Sequence, residues 1–173
     1  MERMTNKFGL GLVVVAAALL ASSSAFALRS ARMPARAGYP LNPGGQMAAA
    51  YTCFLDHSSA HGVVVYSPSS CSTAPSGYRY WAMPLPTDSI GVPYNLRAWT
   101  NVYAGPPATI PSVSLTTFTH DGVYQNTDFV TNATSGDVGP LQATVPVGGY
   151  GVLIVGLQFG GQAVRSYAYE YEK

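Results

Sequence analysis

Glycine and proline interrupt this chain so often that long regular elements are ruled out. There are 18 Gly and 13 Pro among 173 residues. The runs between them are rich in Val, Thr, Tyr, Phe and Trp, the residues that suit a pleated, half-buried surface. Proline removes a ladder donor and breaks helices, while glycine permits the tight reversals between strands. Strand patterns are read at 49–55, 62–66, 78–83, 94–103, 113–119, 123–130, 138–145, 150–159 and 162–171. Strand 94–103 is the cleanest, with Leu96, Ala98 and Thr100 alternating against Arg97, Trp99 and Asn101. No 3.6-residue period competes beyond the N-terminal segment. The expectation is an all-β, single-domain antiparallel β-sandwich, jelly-roll or immunoglobulin-like, of about 8–9 strands.

The first 27 residues read as a secretory signal peptide. Arg3 and Lys7 precede the uncharged run 8–20, and small residues lead to Ala25-Phe26-Ala27. As a helix, that run rises about 20 Å, short of the roughly 30 Å of a bilayer core. Cleavage is expected near Ala27, giving a secreted, periplasmic or cell-surface protein. Residues 28–46, with Arg29, Arg32, Arg36 and three prolines, read as a flexible leader, and 47–173 as the sandwich domain.

Charge excludes further classes. Beyond residue 27 there are 7 basic and 7 acidic side chains, about a tenth of the residues against roughly a quarter in an ordinary domain. No basic surplus exists to neutralise nucleic-acid phosphates, so no nucleic-acid partner is expected. No stable membrane insertion is expected either; a small outer-membrane barrel fits the strand count but not the prolines in or beside the strands.

Cys53 and Cys71 are the chain's two cysteines, and an oxidising compartment favours a disulfide between them. The alternatives are free thiols or a metal site with Asp56, His57 and His61. That site needs a helix to bring the two histidines together, where a strand is read.

Catalytic and cofactor patterns are sparse. Asp56-His57-Ser58 has the residue types of a hydrolase triad without its geometry. Glu170 and Glu172 lie two apart near the chain end, where acidic pairs serve solubility, and His120 sits on a turn. Asp121, Asp128 and Asp137 suit turn capping more than calcium, and Asn132-Ala133-Thr134 is a formal glycosylation triplet. No enzyme activity, no metal and no cofactor are expected.

The aromatic content, 2 Trp, 12 Tyr and 6 Phe, is what suggests binding. If Gly160-Gly161 makes a two-residue hairpin between the last two strands, Tyr150, Tyr167, Tyr169 and Tyr171 share one face. Trp99 and Arg97 share one side of their strand. These six residues make the candidate ligand face, although large aromatics more often fill sandwich cores. The functional expectation is a non-catalytic structural or ligand-binding surface protein, with a polysaccharide or another exported protein as partner. A carbohydrate-binding module with an open aromatic face is the alternative. Edge-to-edge assembly through the tyrosine-rich terminal strands is a further one.

Over 78–172 the chain loosely resembles a group of secreted bacterial single-domain β-sandwich proteins of uncharacterised function. The marks are Met83-Pro84-Leu85-Pro86-x-Asp88, Val113-Ser114-Leu115, Asp121-Gly122, Gly149-Tyr150-Gly151 and Arg165-Ser166-Tyr167-Ala168-x-Glu170-Tyr171. The resemblance implies export and a sandwich, with an apolar contact between Met83 and Leu115 replacing a cross-sheet disulfide. It implies no activity.

Overall fold

The computed structural model describes residues 28–41, 54–57, 62–67, 79–86, 91–105 and 108–172. Among them are twelve strands: β1 (Leu28–Arg29), β2 (Met33–Pro34), β3 (Tyr39–Leu41), β4 (Phe54–His57), β5 (Val63–Tyr66), β6 (Arg79–Leu85), β7 (Tyr94–Tyr103), β8 (Ile110–Phe118), β9 (Tyr124–Ala133), β10 (Gly136–Val145), β11 (Tyr150–Leu157) and β12 (Ala163–Glu172). One 3-10 turn, Ala35–Ala37, lies between β2 and β3.

Two antiparallel sheets pack as a sandwich. One has the order β10-β7-β12-β5-β4, with β1 and β2 also pairing with β12; the other has the order β3-β6-β11-β8-β9. Neither closes on itself, so the barrel reading is corrected. No helix among the described residues is long and apolar enough to cross a membrane.

Alternation puts the core between the sheets. Tyr94, Leu96, Ala98 and Val102 of β7 face Trp81, Met83 and Leu85 of β6 and Leu153, Val155 and Leu157 of β11 across one continuous cluster. At Gly151 the layers approach closely, because a Cβ there would lie 2.3 Å from Leu96 Cδ2 of the opposite sheet. Near this end Thr117 Oγ1 of β8 donates to the Thr144 carbonyl of β10 at 3.1 Å, bridging the sheets. Met83 and Leu115 are both fully buried, but they belong to one sheet, and each stands opposite Leu153 on the intervening strand β11. Strands two apart are separated by about 9.5 Å, so the expected cross-sheet contact between these residues is corrected: they contribute to the same core layer.

The terminal hairpin is corrected as well. β11 pairs with β6 and β8 in one sheet, and β12 pairs with β7 in the other, so Gly160-Gly161 is a corner between sheets. Its organiser is Gln162, fully buried. The Gln162 side-chain carbonyl accepts from the N–H groups of Gln158 at 2.7 Å and Phe159 at 3.0 Å. Its amide nitrogen donates to the Thr109 carbonyl at 2.8 Å, ahead of β8. Its backbone carbonyl accepts from Tyr66 N–H at 2.8 Å, and Gly161 N–H donates to the Tyr66 carbonyl at 2.9 Å. Gly161 supplies the left-handed conformation the corner needs, with φ of 84°.

Residues 28–41, read from the sequence as a flexible leader, are paired into both sheets. Leu28 stands opposite Tyr171, Tyr167 opposite Met33, and Ala82 opposite Tyr39. Ser30 N–H donates to the Tyr169 carbonyl at 2.7 Å and Arg36 N–H to the Gly62 carbonyl at 3.0 Å. The Trp81 indole N–H donates to the Ala35 carbonyl at 2.8 Å, where Ala35 is fully buried.

Replacing Gln162 by Leu keeps the volume and removes all three side-chain hydrogen bonds. The orphaned backbone groups are expected to cost about 2–4 kcal/mol. The reading is a lower midpoint in urea with an unchanged m-value.

Candidate functional site

The outer faces of the two sheets differ in chemistry. On the β10-β7-β12 sheet, cross-strand partners place Asp137 beside Asn101, Gln142 beside Arg97, Ala168 beside Trp99 and Glu170 beside Arg97. Charges there are paired. Arg97 lies 3.1 Å from Glu172 and 3.8 Å from Glu170. Asp137 accepts from Arg32, and from Asn101 Nδ2 at 2.7 Å. Arg165 sits over the Tyr103 ring, 5.1 Å from its centroid. This is a solvated face whose exposed ion pairs contribute little to stability.

The outer face of the other sheet is neutral. Its cross-strand rows run Leu41–Tyr80–Gly156–Ser112 and Tyr39–Ala82–Ile154–Ser114, then Pro84–Val152–Thr116 and Tyr150–Phe118. On β9 the same face continues with Thr131, Phe129 and Thr127. A groove of about 270 Å³ runs along it, lined by Tyr39, Leu41, Phe118, Tyr150, Val152 and Ile154. The Phe118 and Tyr150 rings stack with centroids 5.2 Å apart and planes at 21°. Burial raises the Tyr39 phenol above its ordinary value, and the neighbouring Tyr150 adds to the shift. None of these residues is charged. The volume falls just below the roughly 300–1,000 Å³ of enclosed small-molecule pockets, which suits a platform more than a closed site.

The six residues of the expected ligand face fall on three surfaces. Arg97 and Trp99 lie on the ion-paired outer face. Tyr167, Tyr169 and Tyr171 point between the sheets: Tyr167 is buried, while Tyr169 and Tyr171 pack against the core from its margin. Tyr94 and Tyr171 meet edge to face at 5.3 Å, and the Tyr171 hydroxyl donates to the Pro86 carbonyl. Burial also raises the Tyr167 phenol. Tyr150 alone lines the groove. Two features cause the division: the sheet-switching corner before β12, and a register shift between Val164 and Ser166. That shift inserts an extra residue and reverses which side chains face inward. Trp81 is in the core, as expected for a large aromatic, whereas Trp99 is half-buried on an outer face.

The residues missed from sequence are Tyr39, Leu41, Phe118, Val152 and Ile154. One signal was present: Val152-Leu153-Ile154-Val155 is apolar on both sides of a strand, which marks a strand covered on both faces or bearing a binding surface. The remaining chemical candidates are dispersed. His120 Nδ1 and Asp121 Oδ1 are 2.6 Å apart on an exposed turn, and Asp128 accepts from Gln142 N–H at 2.8 Å. Glu170 and Glu172 flank Arg97. Among the described residues no three of His, Cys, Asp and Glu converge as metal ligands. Cys53, Ser58, His61 and Cys71 lie outside the described residues.

No protein-family model matches the chain, and no curated protein does. Among solved structures it is similar to a GH26-CBM35 β-(1,4)-mannanase of Podospora anserina, at 12% identity and TM-score 0.34, over 87% of this chain and 27% of that one. It is also similar to the arabinose-bound MgGH51 α-L-arabinofuranosidase, at 14% identity and TM-score 0.38, over 86% and 25%. An isomalto-dextranase of Arthrobacter globiformis T6 complexed with panose stands at 13% and 0.35, over 84% and 22%. The chain spans about a quarter of the length of each of these chains. Likeness at this level carries neither a substrate nor an activity to this one.

Proposed function

We propose that this chain is an exported, non-catalytic β-sandwich that binds a neutral polysaccharide on the outer face of its five-stranded sheet. The observation that carries the reading is the uncharged groove built around the Phe118–Tyr150 stack. A pyranose ring has one face of C–H groups that packs on an aromatic ring and a rim of hydroxyls that needs hydrogen-bonding partners. Tyr39 and Tyr150 offer both, since a tyrosine buries its ring and keeps a polar tip. Ser112 and Ser114 add hydroxyls beside the apolar strip. An anionic glycan would need basic groups, and the groove has none. A purely structural role, with no ligand, is the competing reading.

Pull-down on a panel of insoluble neutral polysaccharides tests the proposal. Binding to at least one is expected, with loss of about fivefold or more in affinity on Tyr150→Ala, because each stacked ring contributes on the order of 1 kcal/mol or more. Trp99→Ala, on the opposite face, is expected to leave binding unchanged. Retention of no polysaccharide, or equal losses from both variants, rejects the reading.

Ionisation gives a second check. A phenol whose pKa is raised in the folded chain contributes stability fully below its unfolded value near 10, and that stability is lost as pH rises through the folded value. Tyr39, Tyr66 and Tyr167 are all raised by burial. Stability and binding are therefore expected to be insensitive to these groups at neutral pH. Ultraviolet titration is expected to show late-ionising tyrosines, one of them removed by Tyr39→Phe.

Export, as the resemblance to secreted sandwiches implies, rests on the signal-like segment 1–27; cleavage after Ala27 would leave Leu28 to pair with Tyr171. A Cys53–Cys71 disulfide belongs to the same reading, since an oxidising compartment favours it; both cysteines lie outside the described residues. Intact mass of the exported protein is expected to match residues 28–173 less two hydrogens. Reduction is expected to cost about 3 kcal/mol in the chain-entropy account.

A further inference from the structure

We propose that the free edge of β9 pairs antiparallel with β9 of a second copy of this chain. The terminal strands are corrected as assembly edges: β11 is enclosed by β6 and β8, while β12 has β7 on one side and β5, β2 and β1 along the other. Among the described residues, β10, β4, β3 and β9 end the two strand orders, β1 and β2 are two-residue strands paired on one side only, and β9 is the longest such edge without a proline. β3 is three residues long with a central Pro40. β4 is four residues long and includes Asp56 and His57. β10 is broken by a register shift between Val138 and Leu141 around Pro140, and its Gln142 N–H is already taken by Asp128. β9 is ten residues long and has neither proline nor a basic residue. Its single charge, Asp128, is directed at β10.

The polar groups of this edge point outward in a self-complementary way. Thr127 N–H is accepted by the neighbouring Asn126 side chain at 2.7 Å, so it does not enter the β8 ladder. The two-residue period of a ladder then turns the N–H and C=O groups of Thr127, Phe129 and Thr131 away from β8. A two-fold axis at Phe129 sets Phe129 against its counterpart and Thr127 against Thr131 in both directions. That gives about four backbone hydrogen bonds with the Asn126 side chains in place, and about six once each Asn126 releases Thr127 N–H to the second copy. Phe129 is 61% exposed and Val130 38% exposed, so apolar surface is available for burial on both sides of the edge. In this register Asp128 meets Val130 of the second copy, so no acid stands directly opposite an acid.

The product is a continuous ten-stranded sheet with the two neutral grooves on the same side. The dimer stands independently of what the grooves bind. Were each groove to bind a polymer, the pair would gain affinity by the effective concentration of the second site.

Sedimentation equilibrium of the exported chain is the test. A reversible monomer–dimer equilibrium is expected in the micromolar-to-millimolar range. Thr131→Pro removes only an outward N–H, and Phe129→Lys puts like charges together at the axis. Each is expected to weaken dimerisation by about tenfold or more with unchanged circular dichroism. Should Thr131→Pro unfold the chain, Phe129→Lys decides alone. A chain that stays monomeric at millimolar concentration overturns the proposal, even if it captures a strand of another protein. So does a dimer indifferent to Phe129→Lys.

Discussion

The fold turns on a buried amide at a corner. Gln162 takes two backbone donors from one side of the Gly160-Gly161 bend and gives its own donor to Thr109 on another segment. A side chain with four hydrogen-bonding positions is rarely sunk in an apolar core unless its partners are waiting, since each orphaned group costs about 1–3 kcal/mol. Here those partners exist only when the chain changes sheets. A hairpin at the same two glycines would leave Thr109 and Tyr66 without these contacts. Because the corner holds, β11 becomes the middle strand of one sheet, between β6 and β8, and β12 the middle of the other, with β7 on one side and β5, β2 and β1 on the other; β3, β9, β10 and β4 add beyond these.

The local elements were legible because alternation is a short-range signal. β7 occupies the span read for it, and the Asp121-Gly122 reversal joins β8 to β9 as its turn chemistry suggests. The misread features depend on distant contacts. Gly160-Gly161 satisfies the local requirements of a hairpin turn, and only Thr109 and Tyr66, far away in sequence, select the corner. The extra residue between Val164 and Ser166 leaves no mark in composition, yet it sends Tyr167, Tyr169 and Tyr171 inward. Of the six residues expected on one aromatic face, Tyr150 alone lines the neutral groove.

Segregation of charge follows from the same topology. Arg97 sits between two glutamates and Arg32 beside Asp137, so the few ions on the β10-β7-β12 face largely neutralise one another. The opposite face is left with rings, aliphatic side chains and hydroxyls. A surface of that kind carries no charge to attract an anionic ligand or to repel a neutral one. A sandwich with charges spread evenly over both faces would lose that distinction.

The groove also depends on the segment that composition alone marks as dispensable. Residues 28–41 begin on one sheet and end on the other, and their last strand, β3, supplies Tyr39 and Leu41 as a wall. Their passage between the sheets is fixed by the Trp81 indole on the Ala35 carbonyl, with Ala35 wholly enclosed. Without them β6 would be an edge strand and the floor of Val152, Ile154 and Ala82 a flat apolar strip exposed on one side. Prolines 34 and 40 do not prevent this pairing, because each lies on a short strand at a margin, where a missing N–H removes no interior ladder bond. The groove is therefore composite: the five-stranded sheet defines its floor, and the arginine- and proline-bearing strap supplies its wall.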